Sequence, residues 1–309
     1  MRHRALVLFT LLLLTVSIVV ITGCGGRKSL TNLSVRELYA EGLERYNGGK
    51  YLYAIEYFQA IVFNFPGESV VDTAQYYLAL SYLGNKDYKL ASVEFNRLIQ
   101  NYPLSVYATH AQFMTAVCLY ESAPDHHGLD QTDRKEAVKQ MEDFIVDHPE
   151  SELVPQVQEY IREGRNTLAN KLYSAAVLYY RIRALDAAKI YFQQVVDDYT
   201  DTEYGPRAVF YIAKCDYERK NFSSAKLGFE NFVAVFPDHE LASEARPLVA
   251  TAAFRDAEQA FDKGDQASAA AKLRAFIEAF PGDERVEKAQ RYLEQLPAGE
   301  PALHSHEQS

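Results

Sequence analysis

Thiols, imidazoles and paired carboxylates are the side chains in this sequence with chemistry to offer, and their spacing decides which of them has a use. Asp125, His126 and His127 stand together, but adjacent histidines do not easily face one ion, and no second ligand pair at a recognisable spacing lies near. The group reads as solvated loop, and no metal site is expected. His110, His148 and His239 fall on helices or at their ends without a nucleophile beside them. The acid pairs Glu142-Asp143 and Asp197-Asp198 are adjacent on helices, point in different directions and read as solvated faces. No catalytic residue is expected, and so no enzyme. Of the three cysteines, Cys118 and Cys215 lie mid-helix among small apolar neighbours and read as buried hydrophobes. Cys24 alone stands where a thiol is open to modification.

The setting of Cys24 is a basic start, Arg2-His3-Arg4, an apolar run from Ala5 to Ile21, and the close Ile21-Thr22-Gly23-Cys24. An apolar helix of this length, left uncut, spans a bilayer, and that reading stays open. The small residues before the cysteine resemble the lipobox of bacterial lipoproteins. In that family the thiol receives a diacylglycerol, the peptide is cut before it and the new N-terminus is acylated. The resemblance implies a signal peptide over 1–23, S-diacylglycerol and N-acyl groups on Cys24 with no other cofactor, and anchoring at about 0.8 kcal/mol per buried methylene. By resemblance to Gram-negative lipoprotein sorting, where an aspartate after the cysteine marks retention in the inner membrane, Gly25 implies the outer membrane. Residues 24–34 form a short polar tether, and Ser34 with Glu37 makes a capping box for the first helix.

The rest of the chain repeats one pattern. Small residues recur on first helices at Gly42, Ala79, Ala116, Ala176, Ala213 and Ala257, and on second helices at Ala54, Ala91, Ala137, Ala188, Ala225 and Ala269. Four positions after each second-helix alanine stands a large apolar residue: Phe58, Phe95, Met141, Phe192, Phe229 and Leu273. Small residues on two successive helices let the backbones approach closely, with the larger ones flanking the contact. Terminators follow at Phe65-Pro66, Tyr102-Pro103, His148-Pro149, Phe236-Pro237 and Phe280-Pro281, with Tyr199-Thr200 lacking its proline. This resembles the tetratricopeptide repeat, helix pairs of about 34 residues that stack into a superhelix, here with slightly longer steps. The expected fold is all-α, a solenoid of about six helix pairs with one extra helix, Leu153 to about Gly164, between units three and four. The next helix is expected over Asn166 to Ile182, and unit six is read from Arg246-Pro247-Leu248. The subdomains are then 35–165 and 166–296, with a polar, aperiodic tail over 297–309.

A net charge of −10 argues against nucleic acid as a partner. The 22 tyrosines, many of them in repeats, suit surfaces where a ring packs while its hydroxyl reaches water or a ligand. Tyr39, Leu43 and Tyr46 share i, i+4, i+7 spacing, as do Tyr76, Leu80 and Leu83, so each set forms one helix stripe. With Phe113 and Tyr120 these are the candidate lining of a binding groove. Two readings stay open: that the stripes bind, and that they only pack within the solenoid.

The segments Leu129-Asp-Gln-Thr-Asp133, Phe144-Ile-Val-Asp-His-Pro149-Glu-Ser151, Arg165-Asn-Thr-Leu168-Ala169, Lys171-Leu172-Tyr173-Ser174-Ala175-Ala176 and Tyr199-Thr-Asp201-Thr202 extend the likeness. From Val35 to about Glu240 the chain resembles the BamD (ComL-like) family of outer membrane β-barrel assembly lipoproteins; a sixth unit is a departure from the family's usual five. The resemblance implies a non-enzymatic subunit, lipid-anchored at the periplasmic face of the outer membrane, that docks on a BamA-like barrel subunit and receives unfolded β-barrel clients. It also implies a BamA-contacting role for Arg207, at the start of the fifth unit's first helix. The alternative is another periplasmic repeat lipoprotein that coordinates peptidoglycan synthesis or envelope constriction.

Overall fold

The computed structural model describes residues 30–296, and every regular element among them is helical. The expected signal peptide, Cys24, most of the tether and the 297–309 tail lie outside the described residues. After a 3-10 turn, Leu30–Asn32, come α1 Val35–Asn47, α2 Tyr51–Asn64, α3 Val71–Gly84, α4 Tyr88–Asn101, α5 Ala108–Ser122, α6 Thr132–Asp147 and α7 Val154–Arg181. They are followed by α8 Leu185–Tyr199, α9 Tyr204–Glu218, α10 Phe222–Val235, α11 Ala242–Asp262, α12 Gln266–Ala279 and α13 Val286–Gln295. The capping box forms: Glu37 N–H donates to Ser34 Oγ and Ser34 N–H to the Glu37 carboxylate. All the repeat-defining small residues are buried, and so are the six large residues four positions on. The solenoid of helix pairs read from the sequence is the fold.

Two recurrent turns make the pairs. Each Pro-terminated second helix ends on a residue near φ −130°, ψ 55°, namely Phe65, Tyr102, His148, Phe236 and Phe280. A following proline excludes the α region for the residue before it, which fixes this exit. Within a pair, five of the six first helices close on a left-handed residue: Gly49, Lys86, Arg183, Lys220 and Gly264. In each, this residue's N–H and the next one's reach back to carbonyls of the last helical turn, as in Lys220 N to Tyr217 O at 3.0 Å and Asn221 N to Asp216 O at 2.8 Å. Three of these sites carry a side chain in a conformation that costs about 1–2 kcal/mol outside glycine. Lys220→Gly is therefore expected to raise the urea midpoint, by the equivalent of up to about 1 kcal/mol after glycine's larger unfolded-state entropy is subtracted.

The sequence reading needs three corrections. The extra helix and the first helix of unit four are one 28-residue helix, α7. Gly164 does not interrupt it; the residue is buried, and a Cβ there would lie 2.4 Å from Val138 Cγ2, so glycine serves close helix approach and not a turn. The subdomain boundary placed at 165/166 falls inside this helix, and the chain divides instead into compact units ending at Leu119 and beginning at Tyr120. Finally, α11 starts four residues before Arg246. Pro247 is carried within it, in a first stretch whose Ala242 and Ala245 are buried.

In the first unit, α1 to α4 pack in sequence around Leu38, Phe58, Ile61, Leu78, Phe95 and Leu98, joined by Ala111 and Cys118 of α5. In the second, α7 to α9 enclose Phe192 and Val195, α9 to α11 enclose Phe210, Phe229 and Phe232, and α11 to α13 enclose Phe254, Leu273 and Phe276. The last of the described helices, α13, lays one face on this core and turns a polar one outward. Cys118 and Cys215 are both buried.

Candidate binding surfaces

The α1 stripe of the first unit meets Tyr77 of α3, a ring to which its spacing gave no role. Tyr39 and Tyr46 of α1 stand edge-on to it at 6.3 and 5.4 Å, and Phe58 of α2 stacks on it at 5.6 Å. Tyr39, Leu43, Tyr46, Leu80 and Leu83 are half-buried, each packed against the unit's core. Burial pushes the Tyr39 hydroxyl up to about 12 and raises that of Tyr46. These residues share their area between packing and surface.

Three of the other groove candidates are core residues. Tyr76 is 8% exposed, Phe113 1% and Tyr120 9%. Tyr76 stacks on Tyr107 at 4.4 Å, and its hydroxyl lies 2.7 Å from His110 Nδ1. Tyr120, in the second unit, stands edge-on to Tyr160 and under the Arg134 guanidinium. The i, i+4 rule finds neighbours on one helix face but does not say whether the adjacent helix covers that face. Here it does.

Burial lowers the His110 imidazole below its ordinary value. The neutral ring is the form the fold prefers, so its contribution is complete above the unfolded value near 6.5 and is eroded as pH falls below it. His110→Phe is expected to flatten the pH dependence of the unfolding midpoint below about 6.5, with histidine titration followed by NMR as the direct check.

In the second unit Arg207, at the start of α9, donates to Glu240 at 3.1 Å, and Lys214, two turns along the same helix face, pairs with Glu244 at 2.9 Å. The Arg207–Glu240 pair is open to solvent and worth about 0–1 kcal/mol. The fold therefore loses little if a partner's carboxylate replaces Glu240.

The segments around Arg165 and Asp201, separate in the sequence, come together. Arg165 Nε and Nη2 donate to the two Asp201 oxygens at 2.9 and 2.6 Å, and Nη2 also donates to the Asp198 carbonyl at 2.8 Å. The guanidinium lies over the Tyr199 ring at 5.3 Å. The hydrogen bond from Arg165 holds the Asp201 carboxyl below the usual range. Arg165 and Tyr199, together with Lys135, Lys139 and Glu142, border a cleft of about 340 Å³. No local pattern announces a bridge across 36 positions.

The insert between α5 and α6 is held to the fold more firmly than a solvated loop. Gln131, 2% exposed, donates to the carbonyls of Pro124 and His126, and buried Arg134 donates to Pro124 O and to Gln131. Lys171 of α7 donates to Leu129 O at 2.7 Å. Among the described residues no group of three or more His, Cys, Asp or Glu is placed to hold a metal ion, and no helix is long and apolar enough to cross a membrane.

Helix pairs with recurrent small-residue contacts and stereotyped turns define a repeat scaffold of the tetratricopeptide type. Within that class, residues 31–215 match the family described as YfiO, outer membrane lipoprotein, and since this is more than half of the chain, the chain belongs to that family. It is 24% identical over 204 residues to the outer membrane protein assembly factor BamD of Caulobacter vibrioides, a match covering 63% of this chain and 65% of that one. It is 23% identical over 296 residues to BamD of Pasteurella multocida, covering 90% of this chain and 93% of the relative. Among solved structures it is similar to the TPR2AB domain of yeast Sti1 in its pHSP90 complex, with 13% identity, a TM-score of 0.42, and coverage of 84% of this chain and 97% of that one.

Proposed function

We propose that this chain is a lipid-anchored, non-enzymatic scaffold subunit of the machine that assembles β-barrel proteins in the outer membrane, binding a BamA-like barrel subunit and unfolded β-barrel clients from the periplasmic side. The observation that carries this reading is the family match across residues 31–215, extended over most of the chain by a relative named as an assembly factor. The geometry supplies compatible surfaces. The half-buried Tyr39, Leu43, Tyr46, Leu80 and Leu83 present ring edges and aliphatic groups for an extended apolar client, rigid contacts that cost little entropy. Arg207, held by a replaceable surface carboxylate, is the candidate contact with the barrel subunit.

The anchor has its own test. Cys24→Ser is expected to give protein without acyl mass that no longer fractionates with the outer membrane. Wild-type protein without acyl mass that fractionates unchanged would remove the lipoprotein reading.

A further inference from the structure

The turns between helix pairs share one geometry, and one of them departs in chemistry. After each second helix the fourth N–H of the turn bonds back to the first carbonyl, as in Ser105 N to Tyr102 O at 2.9 Å and His239 N to Phe236 O at 3.2 Å, and a second such bond opens the next helix. At the position of Leu104 the other turns carry Gly67, Glu150, Asp201, Asp238 and Gly282. At the position of Val106 they carry Ser69, Glu152, Glu203, Glu240 and Glu284. Leu104 and Val106 are 97% and 87% exposed. The fold does not need an apolar residue at either place, since five sister turns form without one.

The turn is also fixed. Ser105 Oγ donates to Asp72 Oδ2 at 2.7 Å and accepts from Tyr107 N–H at 3.2 Å, so the two aliphatic side chains are held out from an ordered backbone. Single exposed aliphatics are ordinary; a rigid pair where every equivalent site is polar or glycine calls for an occupant.

Chain topology says what that occupant is. α1 runs away from the tether, α2 returns, α3 runs out and α4 returns, so the start of α1 and the 103–106 turn lie on the same edge of the first unit. The six residues from Cys24 to Ser29, ahead of the 3-10 turn that packs on the core, span at most about 20–22 Å. The 103–106 turn is two first-helix steps from α1, on the order of 20 Å at 8–10 Å between packed helices. Charge agrees: residues 30–119 carry six Lys and Arg against eight Asp and Glu, whereas 120–296 carry 22 against 32. The nearly neutral unit is the one that can approach an anionic lipid surface.

We infer that the edge of the first unit bearing Leu104 and Val106 sits in the interfacial layer of the membrane to which Cys24 tethers the chain, which fixes that unit's orientation as well as its location. This rests on the lipid-anchor reading above. The test uses the full-length acylated protein in vesicles of phosphatidylethanolamine and phosphatidylglycerol. Leu104→Cys, Lys86→Cys on the opposite edge and Asp238→Cys in a sister turn each carry an environment-sensitive dye, with brominated acyl chains as quencher and acyl mass measured on the same samples. Leu104→Cys is expected to be quenched at least about fivefold more than the other two, because an interfacial residue lies within reach of acyl chains. Equal or absent quenching on acylated protein overturns this inference and leaves the anchor standing. Absence of acyl mass overturns both. A dye at 104 shielded only on adding the barrel subunit assigns the turn to a protein partner and overturns the membrane reading.

Discussion

Replacing Gly42 with leucine is expected to destabilise the first unit by about 1–3 kcal/mol, the usual cost of enlarging a packed small position. A Cβ at Gly42 would stand 2.9 Å from Phe58 Cε1, and Phe58 cannot yield freely because it stacks on Tyr77 and is fully buried. Strain at the α1–α2 crossing is thereby passed to α3. Gly205→Ala should be comparably costly with a single added carbon, since its Cβ would lie 2.4 Å from the Thr200 carbonyl oxygen, and backbone has no rotamer to relieve the contact. Gly67 faces open space, so Gly67→Ala should stay within about 0.5 kcal/mol of wild type. Urea melts of the three variants check the set. Gly42→Leu and Gly205→Ala melting with wild type would show that these contacts are not as close as described.

The second large effect concerns partners. Arg207→Glu places two carboxylates together at Glu240 and removes the candidate cation from the barrel-subunit surface. Truncating a charged pair at an interface costs about 2–5 kcal/mol, enough to abolish co-purification at ordinary concentrations. Binding of a C-terminal β-barrel peptide to the first unit should be unchanged. The combination Arg207→Glu with Glu240→Arg restores an ion pair within the chain; if barrel-subunit binding returned with it, Arg207 would be a local structural residue and not a contact. Conversely, Tyr39→Ala with Leu43→Ala should weaken the client peptide about tenfold or more and leave the barrel subunit bound. Both variants need circular dichroism and melting controls, because the α1 stripe also packs on the core. Equal loss of both partners by folded variants would end the proposed division between units.

The fold was largely legible because repetition makes each inference several times over. One alanine means little, whereas Ala54, Ala91, Ala137, Ala188, Ala225 and Ala269, each followed four residues later by a large side chain, state a helix contact whose burial the structure shows in every unit. Proline terminators were equally plain, since the restriction on the preceding residue is local. The misreadings had non-local causes. Gly164 has two uses in a helical chain, to end a helix or to admit a neighbour, and only Val138 and Tyr120 from other helices decide between them. Lys86, Arg183 and Lys220 adopt the conformation glycine would signal, held by bonds to the preceding helix, so those turns carried no mark. The candidate surfaces were less legible than the fold. Phe113 and Tyr120 lie on covered faces, and the Arg165–Asp201 bridge depends on α7 and α8 meeting.

The reading of this chain as a β-barrel assembly scaffold is tested most directly by affinity purification of the tagged, acylated protein from detergent-solubilised envelopes, with bound proteins identified by mass spectrometry. A stoichiometric outer membrane barrel subunit of the BamA type is the predicted result, lost in Arg207→Glu and retained in Tyr39→Ala with Leu43→Ala. Recovery of cell-wall synthases without any barrel subunit would contradict it.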